Sequence, residues 1–301
     1  MVIHGREPDW SYVARSVVKV LTVTAALLLT LTVGERALEV FVDVGDRTAQ
    51  VYGTAARIAN PDKRLSHGYT HSGRLPVTTF TMRGEPRRAG PSDGTTEYKI
   101  VEGLFGTVQA PLLDGPSGSL ADAIDSVEAK PGDGRARATL DGLPPTLVGV
   151  GVVEFAHKMT TEQLVAFGRR HKICGGDDVA YIYEPSFYDD SSDPSSLNAI
   201  VWNRDMTRED DWAEFAYQCE TEPERALAEF RRWVGLLDEN DDLEEFELAY
   251  GSLKGAADEG VTYGLVFDRW KLADLRKLLD DPDVGTIHLA DVAFDLDTWT
   301  G

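Results

Sequence analysis

Two cysteines, two histidines four residues apart and a dense run of carboxylates are the side chains here whose types and spacing could do chemistry. Cys174 and Cys219 are the only thiols in 301 residues. That number excludes a multi-cysteine zinc or iron–sulfur centre. They are far apart in sequence and form no C-x-x-C pair, which argues against a redox-active dithiol. In an oxidising compartment they would form one disulfide, closing a loop of about 46 residues worth roughly 4 kcal/mol of chain entropy. Elsewhere they would remain two buried thiols. His67 and His71, in HGYTH, would share a face as metal ligands only on a helix, and Gly68 with its neighbouring turn and strand signals argues against one. They are therefore expected to be solvated. His157, His171 and His288 fall near strand or helix ends with no partner legible in sequence.

The run DENDDLEEFE, Asp238 to Glu247, holds seven carboxylates in ten residues. An EF-hand register from Asp238 places Asn240 and Asp242 correctly. It then puts Leu243 where glycine is needed and Ala249 where the bidentate glutamate belongs. The run is expected to be a solvated turn between helices, and DDSSD at Asp189 to Asp193 likewise. There is no G-x-S-x-G, no P-loop and no H-E-x-x-H, and GVGVVE at Gly149 lacks the third glycine of a dinucleotide fingerprint. The sequence predicts no enzyme, no cofactor and no metal.

Charge narrows the partners. The formal net charge is −21, which argues against nucleic acid as a direct ligand, because phosphate binders need clustered Lys and Arg. A 42% hydrophobic content is enough for a packed core.

The elements that would position these groups begin with VVKVLTVTAALLLTLTV, Val17 to Val33. Seventeen residues at 1.5 Å rise reach about 26 Å, near the thin end of a bilayer core. Three readings compete: a cleaved signal peptide, which lacks a good small-residue exit; a buried core helix, which lacks a polar face; and an uncleaved single anchor. The anchor is the expectation. Arg6, Arg15 and Lys19 then place the N-terminus in the cytoplasm and the bulk of the chain outside the cell membrane.

After it, helical spacing of Leu38, Phe41, Val44, Val51, Ala55 and Ile58 predicts a juxtamembrane helix ending at Asn60-Pro61. RLPVTTFTMRG and TEYKIVEGLFGTVQAP read as strands, and a Gly/Pro/Asp-rich stretch with one short helix near Leu120 to Val127 follows. From Leu147 the order strand, helix, strand occurs twice. VGVGVVEFA precedes TTEQLVAFGRRHK, with Leu164, Ala166 and Phe167 inward and a Thr160/Gln163 capping box, and then DVAYIYEP. VTYGLVFD precedes WKLADLRKLLDD and VGTIHLADVAF. Between the units lie the strand NAIVWNRD and two helices, the first opening at Thr221 and Glu224. The predicted fold class is α+β: a single N-terminal transmembrane helix, a β-rich exported module, then a ferredoxin-like α/β sandwich with a helical insertion. The expected segments are a cytoplasmic 1–16, an anchor 17–34, a juxtamembrane helix with β-rich module 35–146, and a ferredoxin-like domain 147–301.

This layout resembles membrane-anchored sigma-factor regulators, anti-sigma proteins with N-terminal and C-terminal regulator domains. IANPDKRLSHGYTHSGRLPVTTFTM and EYKIVEG are similar to the first module. The stretch from VGVGVVEFAHKMTTEQLVAF through DEGVTYGLVFDRWKLADLRKLLDDPDVGTIHLADV is similar to the second. The resemblance implies an envelope-signalling regulator whose partner is a sigma factor or a membrane partner subunit. The chain departs from that family in having about 16 residues ahead of the anchor and no H-x-x-x-C-x-x-C motif.

Overall fold

The computed structural model describes residues 10–41, 44–66, 68–72, 77–91, 94–103, 106–110, 119–128, 135–173, 179–189, 195–203 and 222–295. By contacts the chain divides into Met1–Val44 and Gly45–Gly301. The first unit carries α1, Trp10–Phe41.

The expected anchor is overturned: among the described residues no helix is long and apolar enough to cross a membrane. The charges explain why. Arg15 and Lys19 sit within α1 on one side and Glu35 and Arg36 on the other. The uncharged run between them, Val20 to Gly34, reaches only about 22 Å against a hydrocarbon core of about 30 Å. Threonines dilute it further, and the Thr22 and Thr30 hydroxyls fold back onto the carbonyls of Val18 and Ala26, each at 2.8 Å. The cell-membrane location with an extracytoplasmic bulk falls with the anchor, and so does the fold class built on it. The chain is α+β with two antiparallel five-stranded sheets and, among the described residues, eight α-helices.

The second unit opens with α2, Val44–Ala59, whose apolar stripe Val51, Tyr52, Ala55, Ala56 and Ile58 is fully buried. It packs against the first sheet, made of β1 (Lys63–Leu65), β2 (Tyr69–Ser72), β3 (Val77–Pro86), β4 (Thr96–Gly103) and β5 (Val108–Gln109). Long β3 pairs with β1 and β2 on one side and with β4 on the other. Alternation buries Phe80 and Met82 of β3 and Tyr98 and Ile100 of β4. Gly53 lets α2 approach closely, since a Cβ there would lie 2.6 Å from Phe80 Cε1.

Two short helices follow, α3 (Ser119–Asp125) and α4 (Arg135–Asp141). The second was not anticipated, because its only buried residue is Leu140. Then come β6 (Leu147–Thr160), α5 (Thr161–His171), β7 (Val179–Glu184), and the ribbon of β8 (Phe187–Asp189) with β9 (Ser195–Leu197). After β10 (Ile200–Trp202) lie α6 (Glu222–Val234), a short 3-10 turn at Glu244–Phe246, and α7 (Tyr250–Glu259). β11 (Val261–Lys271), α8 (Leu272–Leu278) and β12 (Val284–Phe294) close the chain's described part. The second sheet runs β10-β7-β11-β6-β12, with every pairing antiparallel. Within it α5 and α8 cross between strands that are not neighbours, the split β-α-β topology.

Thr160 and Gln163 form the capping box of α5, with the Thr160 N–H donating to Gln163 Oε1 at 2.8 Å. Leu164 and Phe167 are buried, but Ala166 is exposed. At 100° per residue, Ala166 points about 160° away from Leu164 and cannot share its stripe. The Thr221 cap lies outside the described residues.

The core has two parts. One is continuous from α2 and the first sheet through α6 and α7 to α5 and α8. The other, on the opposite face of the second sheet, packs Leu120, Ala123 and Ile124 of α3 against Val148, Val150 and Val152.

Candidate functional site

One convergence of polar side chains among the described residues of the second unit gathers at the first turns of α2. Thr48 and Tyr52 are four apart and therefore share a face, and both are buried. Arg47 Nη2 donates to both oxygens of Asp241, at 2.7 and 2.9 Å. The Tyr52 hydroxyl donates to Asp241 Oδ1 at 3.4 Å, and the Thr48 hydroxyl donates to Glu102 Oε2. Asp241 also accepts the Asp238 N–H at 2.7 Å, while Asp242 accepts the Val108 N–H at 3.0 Å. Phe246 stacks on Tyr52, and Trp233 Nε1 donates to the Gln50 carbonyl at 3.0 Å. Burial, reinforced by Asp241 and Glu102, pushes the Tyr52 phenol up to about 12. The acidic run is therefore more than a solvated turn. It is a latch holding α2 to β4, β5 and the segment between α6 and α7. Chemically, Thr48 and Tyr52 donate and Glu102 and Asp241 accept. Each of these groups is thus engaged in fixing the helix.

A second polar cluster ties the first sheet to the second. β11 and β6 lose register between Phe267 and Trp270, and Arg269 adopts φ +57° within that bulge. The bulge carries Asp268, whose side chain is 1% exposed. Its Oδ2 accepts from Arg64 Nη2 of β1 and from Arg87 Nη1 at 3.4 Å. Its Oδ1 is buried and meets no hydrogen-bond donor. Nearby, the Ala89 N–H donates to Asp291 Oδ2 at 3.0 Å.

The residues singled out in sequence scatter. Cys174, Cys219 and His67 lie outside the described residues, as do positions 190–193 of the DDSSD run. His71 is on β2 opposite Thr79, and His157 is exposed on β6. His171 Nε2 is 2.6 Å from Asp281 Oδ2, which also accepts from Arg170 Nε at 2.8 Å. His288 Nε2 is 2.7 Å from Glu154 Oε2. Among the described residues no group of three or more His, Cys, Asp or Glu could hold a metal ion.

One feature stands apart from both clusters. On α1, Val18, Val20, Leu21, Leu27, Leu28 and Leu29 are 58–68% exposed. With Val23, 59% exposed, they are distributed around the helix at 100° per residue rather than along one stripe. No family model, curated protein or solved structure matches the chain.

Proposed function

We propose that the chain is a regulatory protein that acts by contact with a protein partner rather than by catalysis. The observation that carries this reading is the exposed apolar surface of α1. Large exposed apolar patches mark interaction sites, and a helix apolar all round belongs inside an assembly. The resemblance to sigma-factor regulators names the first partner to test, a sigma factor or a subunit that binds one. The strong negative charge supports a protein rather than a nucleic-acid partner.

The test is co-purification of the full chain with an antibody, in wild type and in a Leu21→Glu, Leu28→Glu variant. Recovery of a sigma factor or its binding subunit with wild type, and its loss from the variant, is the expected result. Equal recovery from both would remove α1 as the docking element. Recovery of no transcriptional component would remove the sigma-factor reading.

A further inference from the structure

We propose that Asp268 anchors a binding site for a guanidinium group supplied by a second molecule, and that Arg64 occupies this site as a removable internal stand-in. The carboxylate is 1% exposed, yet both arginine contacts fall on Oδ2 and leave Oδ1 buried without a donor. Buried polar atoms without partners are rare in folded proteins, and each calls for a physical explanation. A guanidinium fork matches both oxygens of a carboxylate at once, through two parallel N–H···O bonds. Arg64, arriving from the three-residue strand β1, reaches only one of them.

The two arginines differ in a way that fits exchange. Arg87 is 8% exposed and supplies a fixed countercharge, whereas Arg64 is 47% exposed and faces solvent. Replacing Arg64 by an incoming guanidinium leaves the net charge of the buried group unchanged, so no new uncompensated charge is desolvated. The incoming group gains the second hydrogen bond that Arg64 leaves unmade. The β11 bulge sets this geometry, placing Asp268 where the loop after β3 and the strand β1 both reach it. The site does not depend on α1, so the failure of either proposal leaves the other standing.

The experiment measures binding of methylguanidinium, and of a short arginine-containing peptide, to the full-length chain by titration calorimetry. Wild type, Arg64→Ala, Arg64→Gln and the Arg64→Ala, Asp268→Asn pair are compared, with circular dichroism confirming that each is folded. Methylguanidinium is expected to bind Arg64→Ala at least tenfold more tightly than wild type, and binding is expected to vanish in the double variant. Arg64→Gln repeats the measurement should the alanine variant not fold. A peptide that binds more tightly than methylguanidinium identifies a protein segment as the source, and equal binding identifies a free guanidino compound. Arg64 variants that bind no better than wild type would overturn the proposal, leaving Oδ1 to a buried water. Binding that survives Asp268→Asn would overturn it as well.

Discussion

Asp241→Asn tests the latch with the smallest change of shape. The side chain is 5% exposed and its Arg47 partner 43%, so the ion pair, in which the one nitrogen Nη2 meets both oxygens, is partly screened and contributes about 0.5–1 kcal/mol. The bond from the Asp238 N–H, at 2.7 Å, loses its charge assistance, worth about another 0.5–1 kcal/mol. The Tyr52 contact is 3.4 Å long and adds little. Unfolding free energy at pH 7 should therefore fall by about 1–2 kcal/mol. Urea titration followed by the fluorescence of the buried Trp202 and Trp233 reads it. A double-mutant cycle with Arg47→Met should return a coupling of about 0.5–1 kcal/mol. The Tyr52 phenol should also move down from about 12 while staying above its ordinary value, because burial is the larger cause of its shift. Spectrophotometric titration against Tyr52→Phe isolates that change. A variant within 0.3 kcal/mol of wild type (about the noise of such comparisons), with zero coupling to Arg47, would refute the latch.

Gly53→Ala should destabilise by about 1–2 kcal/mol, although alanine is ordinarily the better helix former, because its Cβ would sit 2.6 Å from Phe80 Cε1; thermal unfolding gives the sign. Burial pushes the Asp281 carboxyl up, but the Asp283 N–H, His171 and Arg170 outweigh it and hold the group below its ordinary value. Its stabilisation is thus present above the unfolded value of about 4 and lost as pH falls through the lower folded value. Asp281→Asn should cost about 1–2 kcal/mol at pH 7, and the gap from wild type should close in denaturant titrations near pH 3. A gap that persists at low pH would contradict that cause.

What sequence made legible is mostly local. The α5 capping box rests on residues three apart, and the strand alternation of β3 on residues two apart. Ala166 departs from the expected stripe because a count of apolar residues ignores the angle between them. The expected anchor fails on similar grounds, since Lys19 and the threonines shorten the run that length alone makes adequate. The acidic turn shows the harder limit. Composition marks all seven carboxylates as solvent-facing, whereas Asp241 is distinguished only by Arg47 and Tyr52, more than 180 positions away in the chain. Asp268 was invisible for the same reason. In sequence Asp268 merely closes the strand VTYGLVFD ahead of a helix opening at Trp270, and its partners Arg64 and Arg87 lie in a different sheet and the loop beside it.

The latch also bounds what the regulation proposed through α1 could achieve. Only two residues separate α1 from α2 in sequence, so a partner that engages α1 and alters the start of α2 acts on Arg47 and Thr48 first. Such coupling cannot exceed the free energy of the element it switches. A latch of about 1–2 kcal/mol therefore limits the change in partner affinity to about 5- to 30-fold. Linkage is reciprocal: breaking the latch with Asp241→Asn should shift partner affinity by no more than that factor, and partner binding should shift the Tyr52 ionisation in return. An affinity change of 100-fold, or a shift in affinity without any change at Tyr52, would mean that the signal enters the fold elsewhere. The next place to look would then be β1 and the loop after β3, whose Arg64, Arg87 and Ala89 meet Asp268 and Asp291, because these are polar joints between the two sheets.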